Sequence, residues 1–148
     1  MIMILTIPRY WFGQLQARIF PIFFSYGTIM SAVTMTTFFI LRKDNDGTVH
    51  FRMTCGLFVS FTMSLLNLCV LSGLIVDIMR KRFDLEKESG LSMKIGFVDM
   101  SPLDGNDVYQ RVNWKFRFFH KLNGLTNIFG MLGQFVYLFY LKDFVEMK

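Results

Sequence analysis

The sequence predicts an all-α membrane protein with three transmembrane helices, and three observations carry this prediction. Of the 148 residues, 53% are hydrophobic and only 18% are charged, against roughly 25% charged residues in an average soluble domain. The chain holds 18 phenylalanines, more than a small water-soluble core can hide. Three long runs, 19–41, 53–76 and 122–141, contain no charged residue. One short chain with three such runs favours a single membrane domain over residues 1–148.

The first predicted span is the run 19–41. The hydrocarbon layer is ~30 Å thick and a helix rises ~1.5 Å per residue, so ~20 apolar residues suffice to cross it. Lipid offers the backbone amides no partner, so each span must be helical. Tyr10, Trp11 and Phe12 precede the run and are typical of the headgroup layer. Arg18 is expected to anchor the span at the interface, and Pro21 to occupy the first helical turn, where its missing N–H costs nothing.

The second predicted span is the run 53–76, and its helix should not stop at the membrane surface. Good helix formers continue as far as Glu88. Gly90 is a typical C-terminal stop, because glycine adopts the left-handed conformation that ends many helices. We therefore expect this helix to project out of the bilayer.

The third predicted span is the run 122–141, which also belongs to a longer helix. Asn106 or Asp107 can cap the start of that helix. The second and third spans thus extend outside the membrane and are joined by an irregular segment. Together these parts form an extramembrane helical loop over residues 77–121.

Basic residues predict the orientation of the chain. The segment before the first run and the loop 77–121 share one side and hold most of the lysines and arginines, which places this loop in the cytoplasm. Seven of these cations lie near the predicted interface, where they set the topology and can also contact anionic lipid headgroups. They are Arg80, Lys81, Arg82, Arg111, Lys115, Arg117 and Lys121. No basic element typical of nucleic-acid binding is present, and no signal indicates an organelle.

Polar residues recur at helical spacing inside the spans. The third run holds Asn123, Asn127, Gly130 and Gln134, the second holds Gly56, Ser60, Ser64 and Asn67, and the first holds a fainter stripe of Ser25, Thr28, Ala32 and Thr36. Because polar groups avoid hydrocarbon, these faces should turn toward one another. Asn67, Asn123, Asn127 and Gln134 then serve either helix packing or a polar pathway. The absence of charged residues and histidines within the runs favours packing over ion-coupled transport.

The sequence contains no recognisable catalytic or metal-binding motif. Its two histidines, His50 and His120, have no cysteine or carboxylate at metal-ligand spacing. It has no nucleophile-elbow, phosphate-loop or dinucleotide-binding pattern. Cys55 and Cys69 would stand ~21 Å apart on one helix, too far for a disulfide. We therefore expect no catalytic site, no metal and no cofactor, and a protein that is not an enzyme.

The start of the chain resembles the FG-x-x-Q-x-[KR]-x-FP signature of the transmembrane protein 205-like family. The matching residues are Phe12, Gly13, Gln16, Arg18, Phe20 and Pro21. Looser resemblances lie at Asn67, at Met79, at 85–90, and at the family's F-x-x-[LY]-H-G-x-S motif, which aligns with Phe119, Leu122, Gly124 and Thr126. The histidine of that motif falls on Asn123, and the proline that usually follows Asn67 is missing, so a role tied to either is not implied.

The resemblance implies a four-span bundle without established biochemical activity. The additional span would lie before Pro8, where the opening MIMILTI is too short to cross. This opening is expected to be the tail of a first helix most of which the chain lacks. The function implied is that of a multi-pass membrane protein acting through helix-mediated contacts in the bilayer, with itself or with other membrane proteins. The alternative is a small transport or solute-handling protein that uses the polar stripe.

Overall fold

The predicted all-α fold is confirmed. The structure, a computed structural model, describes residues 6–41, 47–96 and 98–146, with side chains as far as residue 142. Helices make up 87% of these residues, and no strand occurs among them. Three helical segments in this part of the chain are long and apolar enough to cross a membrane. Residues 1–5 of the apolar opening MIMILTI and residues 42–46, between the first two charge-free runs, lie outside the described residues.

Four α-helices carry the three predicted spans. They are α1 (Arg9–Leu41), α2 (Thr48–Leu66), α3 (Ser72–Glu88) and α4 (Asp107–Glu146). A π-helical turn, Asn67–Leu71, joins α2 directly to α3. The second and third apolar runs therefore lie in helices that continue well beyond them, as predicted.

The ends of these two long helices are set by local chemistry. After α3, Gly90 adopts a φ of 70°, which glycine does without steric cost. Before α4, the Asn106 side-chain oxygen accepts hydrogen bonds from the amides of Val108 and Tyr109, both at 3.0 Å. Both predicted boundaries are confirmed, with Asn106 rather than Asp107 as the cap. A 3₁₀ turn, Ser101–Leu103, lies in the irregular segment between them.

Pro21 does not open a helix, and this prediction was wrong. Helix α1 already begins at Arg9, and Pro21 lies in its interior. The loop after α3 stabilises the earlier start, since the amide of Tyr10 donates to the carbonyl of Ser92 at 3.0 Å, which satisfies an otherwise unpaired helix N-terminus. Inside the helix, proline removes the hydrogen bond to the carbonyl four residues earlier, that of Ala17. Membrane helices tolerate such prolines.

The chain divides into two compact units. The first contains the chain as far as Ile22 together with Leu71–Lys121. One of its cores is formed by Ala17, Val76, Met79 and Phe83. A second core, formed by Leu91, Leu103 and Tyr109, holds the irregular segment in place. The first unit thus buries apolar groups even though it carries the charged loop 77–121.

The second unit comprises Phe23–Val70 and the chain from Leu122 onward. Its core centres on Phe38, Met53 and Leu57. The apolar windows of α1 and α4 are only 17% and 11% buried. Their outward faces are therefore suited to a bilayer and not to water.

Candidate functional site

The candidate site centres on Asn67 in the second unit. Asn67 is the first residue of the π-helical turn, and only 1% of it is exposed. Its backbone amide donates to the carbonyl of Met63, four residues earlier, and to that of Ser64, three residues earlier. Isolated π turns occur mostly within α-helices and frequently at functional sites.

Asn67 hydrogen-bonds to three side chains of α4. Its Oδ1 accepts from Asn123 Nδ2 at 3.0 Å and from Thr126 Oγ1 at 2.6 Å. Its Nδ2 donates to Asn127 Oδ1 at 3.1 Å. A longer bond of 3.4 Å from Asn127 Nδ2 to Asn123 Oδ1 closes a ring of three amides. The structure thus brings together three of the four polar-stripe residues.

Gln134, the fourth residue of the stripe, belongs to a separate group of hydrogen-bonded side chains. Its Nε2 donates to Ser60 Oγ at 2.7 Å. Ser60 Oγ also lies 3.5 Å from Ser31 Oγ. All three helical runs of this unit therefore contribute a polar side chain to the interior.

The prediction that a polar stripe of the first span faces the other helices was wrong. Thr36 is exposed, and the Thr28 hydroxyl donates to the carbonyl of Phe24 in its own helix. The buried face of α1 instead presents Phe24, Ser31 and Phe38. These three residues follow heptad spacing, and this spacing is the signal that could have identified Ser31.

Two glycines bring α2 and α4 into close contact beside the polar groups. A Cβ on Gly56 would stand 2.6 Å from the carbonyl oxygen of Gly133, closer than real Cβ atoms approach. A Cβ on Gly133 would in turn meet the Gly56 carbonyl and the Ser60 amide nitrogen. Small residues of this kind let membrane helices approach closely.

A cavity of about 260 Å³ opens next to the amide ring. Its polar lining comes from Ser31, Ser60, Ser64, Asn67, Thr126, Asn127 and Gln134, and the rest is phenylalanine, methionine and glycine. No charged side chain lines it. Asn67 and Asn127 each retain an N–H that the bonds described above do not use. The cavity can therefore hydrogen-bond a neutral polar group.

The chemistry of this site is that of amides and hydroxyls. No cluster of three or more histidine, cysteine or acidic side chains suited to a metal occurs in the part of the chain that the structure describes. The cysteines Cys55 and Cys69 are free and exposed. His120, predicted at the interface, is exposed and stacks on Phe116 with ring centroids 5.5 Å apart.

Six of the seven predicted interfacial cations are exposed, namely Arg80, Lys81, Arg111, Lys115, Arg117 and Lys121. Arg82 differs, because its side chain is only 13% exposed and its Nε lies 3.2 Å from Glu86 Oε1. Its guanidinium also covers the ring of Phe116 at 4.3 Å. Arg82 is therefore part of the first unit's interior and not of its charged surface.

The structure reveals Glu86 as a buried carboxylate that sequence reasoning missed. It is 0% exposed, and Arg9 Nη2 lies 3.3 Å from its Oε1. The Tyr109 hydroxyl donates to the same oxygen at 3.2 Å. The available signal was helical spacing, since Glu86 continues the apolar face that carries Met79 and Phe83.

The residues of the opening motif lie on α1 in the first unit. Gly13 faces the Phe83 ring so closely that a Cβ would overlap it. Phe12 and Gln16 line a cavity of about 190 Å³. Arg18 lines another cavity of about 460 Å³ and is exposed, whereas Phe20 and Pro21 are partly buried. The motif thus shapes the packing of this helix and borders two cavities.

Comparison with known proteins identifies one family. A family profile described as a domain of unknown function, DUF4149, matches residues 1–84, which is more than half of the chain. Neither a curated protein nor a solved structure matches the chain. The buried Asn67 lies within the matched segment, and its partners on α4 lie after it. With three helices able to cross a bilayer among the described residues, the chain is a multi-pass membrane protein that belongs to the DUF4149 family.

Proposed function

We propose that this protein is a non-enzymatic, transmembrane protein 205-like membrane protein that acts through helix contacts with protein partners in the bilayer. The observation that carries the proposal is that its intramembrane polar side chains hydrogen-bond to one another. Asn67, Asn123 and Asn127 bond to one another, and Gln134 bonds to Ser60. Polar groups paired in this way hold a bundle together and leave its outward apolar surface for recognition.

The outward face of α4 offers a place for such a contact. Gly124 is exposed, and a Cβ there would meet nothing within 4 Å. Its neighbours Leu125 and Phe129 are exposed apolar residues. Small residues between large ones let a partner helix approach closely, which matters in lipid because no hydrophobic force drives helices together.

The orientation belongs to the same proposal. The loop 77–121 lies in the cytoplasm, where its exposed cations contact anionic headgroups at the membrane surface. Each basic group near such a surface contributes about 1 kcal/mol. Protease accessibility of this loop in sealed vesicles tests the orientation.

The native cysteines allow a direct test of the contacts. Cys55 and Cys69 are exposed, so oxidative crosslinking in membranes should yield a disulfide adduct with a second copy or with another protein. The adduct should vanish in Cys55→Ser or in Cys69→Ser, which identifies the contacting face. Isolation in mild detergent should recover the same partner.

A matched pair of variants tests the role of Gly124. Gly124→Phe should reduce recovery of the partner, because the ring blocks close approach. Leu125→Phe adds a ring where a large side chain already stands and should leave recovery unchanged. A protein that yields no adduct and copurifies with nothing would contradict the proposal.

A second candidate function is the handling of a small neutral solute. It is favoured by the 260 Å³ cavity, whose uncharged lining includes Asn67, Asn127 and Gln134. Purified protein in liposomes would then pass small polar solutes, and Asn127→Leu or Gln134→Leu would abolish the flux. The control is Thr36→Leu at an exposed position of α1. Lost flux in correctly folded stripe variants would replace the first proposal with this one.

A further inference from the structure

The cavity of about 190 Å³ in the first unit, which Phe12 and Gln16 border, has a polar wall of two cations, one amide and one imidazole. Arg9, Gln16, Arg82 and His120 line it, and the rest of the wall is phenylalanine and methionine. No carboxylate lines it. This cavity therefore differs chemically from the uncharged one beside Asn67.

The charges next to this cavity do not balance. Arg9 and Arg82 both pair with the single carboxylate of Glu86, so two cations face one anion. Glu86 is fully buried, and the two arginine side chains are only 19% and 13% exposed. Largely buried positive charge that is left uncompensated is costly, and an anion in the cavity would remove the imbalance.

Both arginines also have unused donors. Arg82 approaches Glu86 through Nε alone, and Arg9 through Nε and Nη2. The two Nη groups of Arg82 and Nη1 of Arg9 therefore have no hydrogen-bond acceptor among the described residues. Planar guanidinium groups with free donors match the oxygens of a phosphate group.

The cationic side of the cavity is held in place by Phe116. The guanidinium of Arg82 lies 4.3 Å from the centroid of that ring. The His120 imidazole stacks on the same residue, with an angle of 10° between the ring planes. A donor set fixed in this way loses less conformational entropy when it binds a ligand.

We propose that this cavity binds a phosphate group, with Arg9 and Arg82 as the charged donors and Gln16 and His120 completing the wall. The expected source is the headgroup of an anionic phospholipid. Gln16 and His120 lie just before the charge-free runs 19–41 and 122–141, which is where a chain that crosses a bilayer passes the lipid phosphates. The phenylalanine and methionine part of the wall suits the apolar portion of a lipid. The site is independent of the helix contacts proposed above.

Binding is measured by thermal unfolding of the full chain purified in a nonionic detergent. One arm adds phosphatidic acid in mixed micelles, with phosphatidylcholine as reference, and the other adds inorganic phosphate, with chloride as reference. Phosphatidic acid should raise the Tm in a saturable manner. A response to inorganic phosphate as well would show that the phosphate group alone is the ligand.

Gln16→Glu places a negative charge in the cavity wall and leaves Glu86 and its partners in place. The variant should weaken anion binding by about tenfold or more, because like charges at short range repel strongly in a partly buried site. Gln14→Glu is the matched control, since Gln14 lies on the same helix but lines a different cavity. This control should bind as the wild type does.

If Gln16→Glu does not fold, His120→Glu provides the same test at an exposed position, with Asn113→Glu as its control. The proposal is overturned if neither anion raises the Tm of the wild type. It is also overturned if each variant and its control lose binding equally, because the effect would then reflect overall charge and not this cavity.

Discussion

Replacing Asn67 with alanine should destabilise the second unit, because Asn67 connects α2 to three side chains of α4. The variant removes the bonds to Asn123, Thr126 and Asn127. The loss at Thr126 is partly compensated, since its hydroxyl also lies 3.1 Å from the carbonyl of Leu122 and 2.9 Å from that of Asn123. The bonds to Asn123 and Asn127 are therefore the two that are lost without compensation.

Hydrogen bonds between membrane helices average about 0.6 kcal/mol and reach about 1.7 kcal/mol. Two lost bonds thus predict a decrease of about 1 to 3 kcal/mol in the free energy of unfolding. The measurement is unfolding by increasing SDS in mixed micelles, followed by circular dichroism. Ser64→Ala, one turn earlier and also lining the cavity, is the control and should change stability by less than about 0.5 kcal/mol.

A double-mutant cycle separates the network from a simple packing effect. Asn67→Ala and Asn127→Ala should be coupled, since each removes a partner of the other, and the double variant should lose less stability than the sum of the two. Additive losses, or an Asn67→Ala protein as stable as the Ser64→Ala control, would refute the assignment of this ring as the contact that holds α2 to α4.

Three further predictions concern other contacts described above. Glu86→Gln should cost about 3 kcal/mol of unfolding free energy, because it leaves two largely buried arginines without a counterion, whereas exposed Glu88→Gln should change little. Gly133→Ala should cost about 2 kcal/mol through overpacking against the neighbouring backbone, whereas Gly124→Ala at an open position should be neutral or stabilising, because alanine favours helix. Asn106→Ala should cost about 1 kcal/mol through loss of the cap, with faster amide exchange in the first turn of α4. An unchanged protein in any of the three would contradict the contact concerned.

The parts of the fold that composition and local chemistry control could be predicted from the sequence. Charge-free runs predicted the three spans, because the cost of charge in hydrocarbon determines composition directly. Gly90 and Asn106 predicted two helix ends, because each acts on the backbone within a few residues of itself. Asn67, Asn123 and Asn127 were expected to meet, because buried amides in helices must find partners across the interface.

The features that the sequence did not reveal depend on distant partners. Glu86 pairs with Arg9 across a separation of 77 residues, and no local pattern connects the two. Pro21 appeared suited to a helix start, but the early start of α1 depends on Ser92 in a remote loop. Ser31 escaped attention because the buried face of α1 is defined by large rings and not by polar residues.

The pairing of Arg9 with Glu86 has a consequence for biosynthesis. A ribosome adds about 5 to 20 residues per second, so synthesis of the intervening chain takes about 4 to 15 s at that rate. During this interval the arginine has been made while its carboxylate partner has not. The nascent helix α1 must therefore keep this cation in contact with water, headgroups, the ribosome or the insertion machinery until the end of α3 emerges.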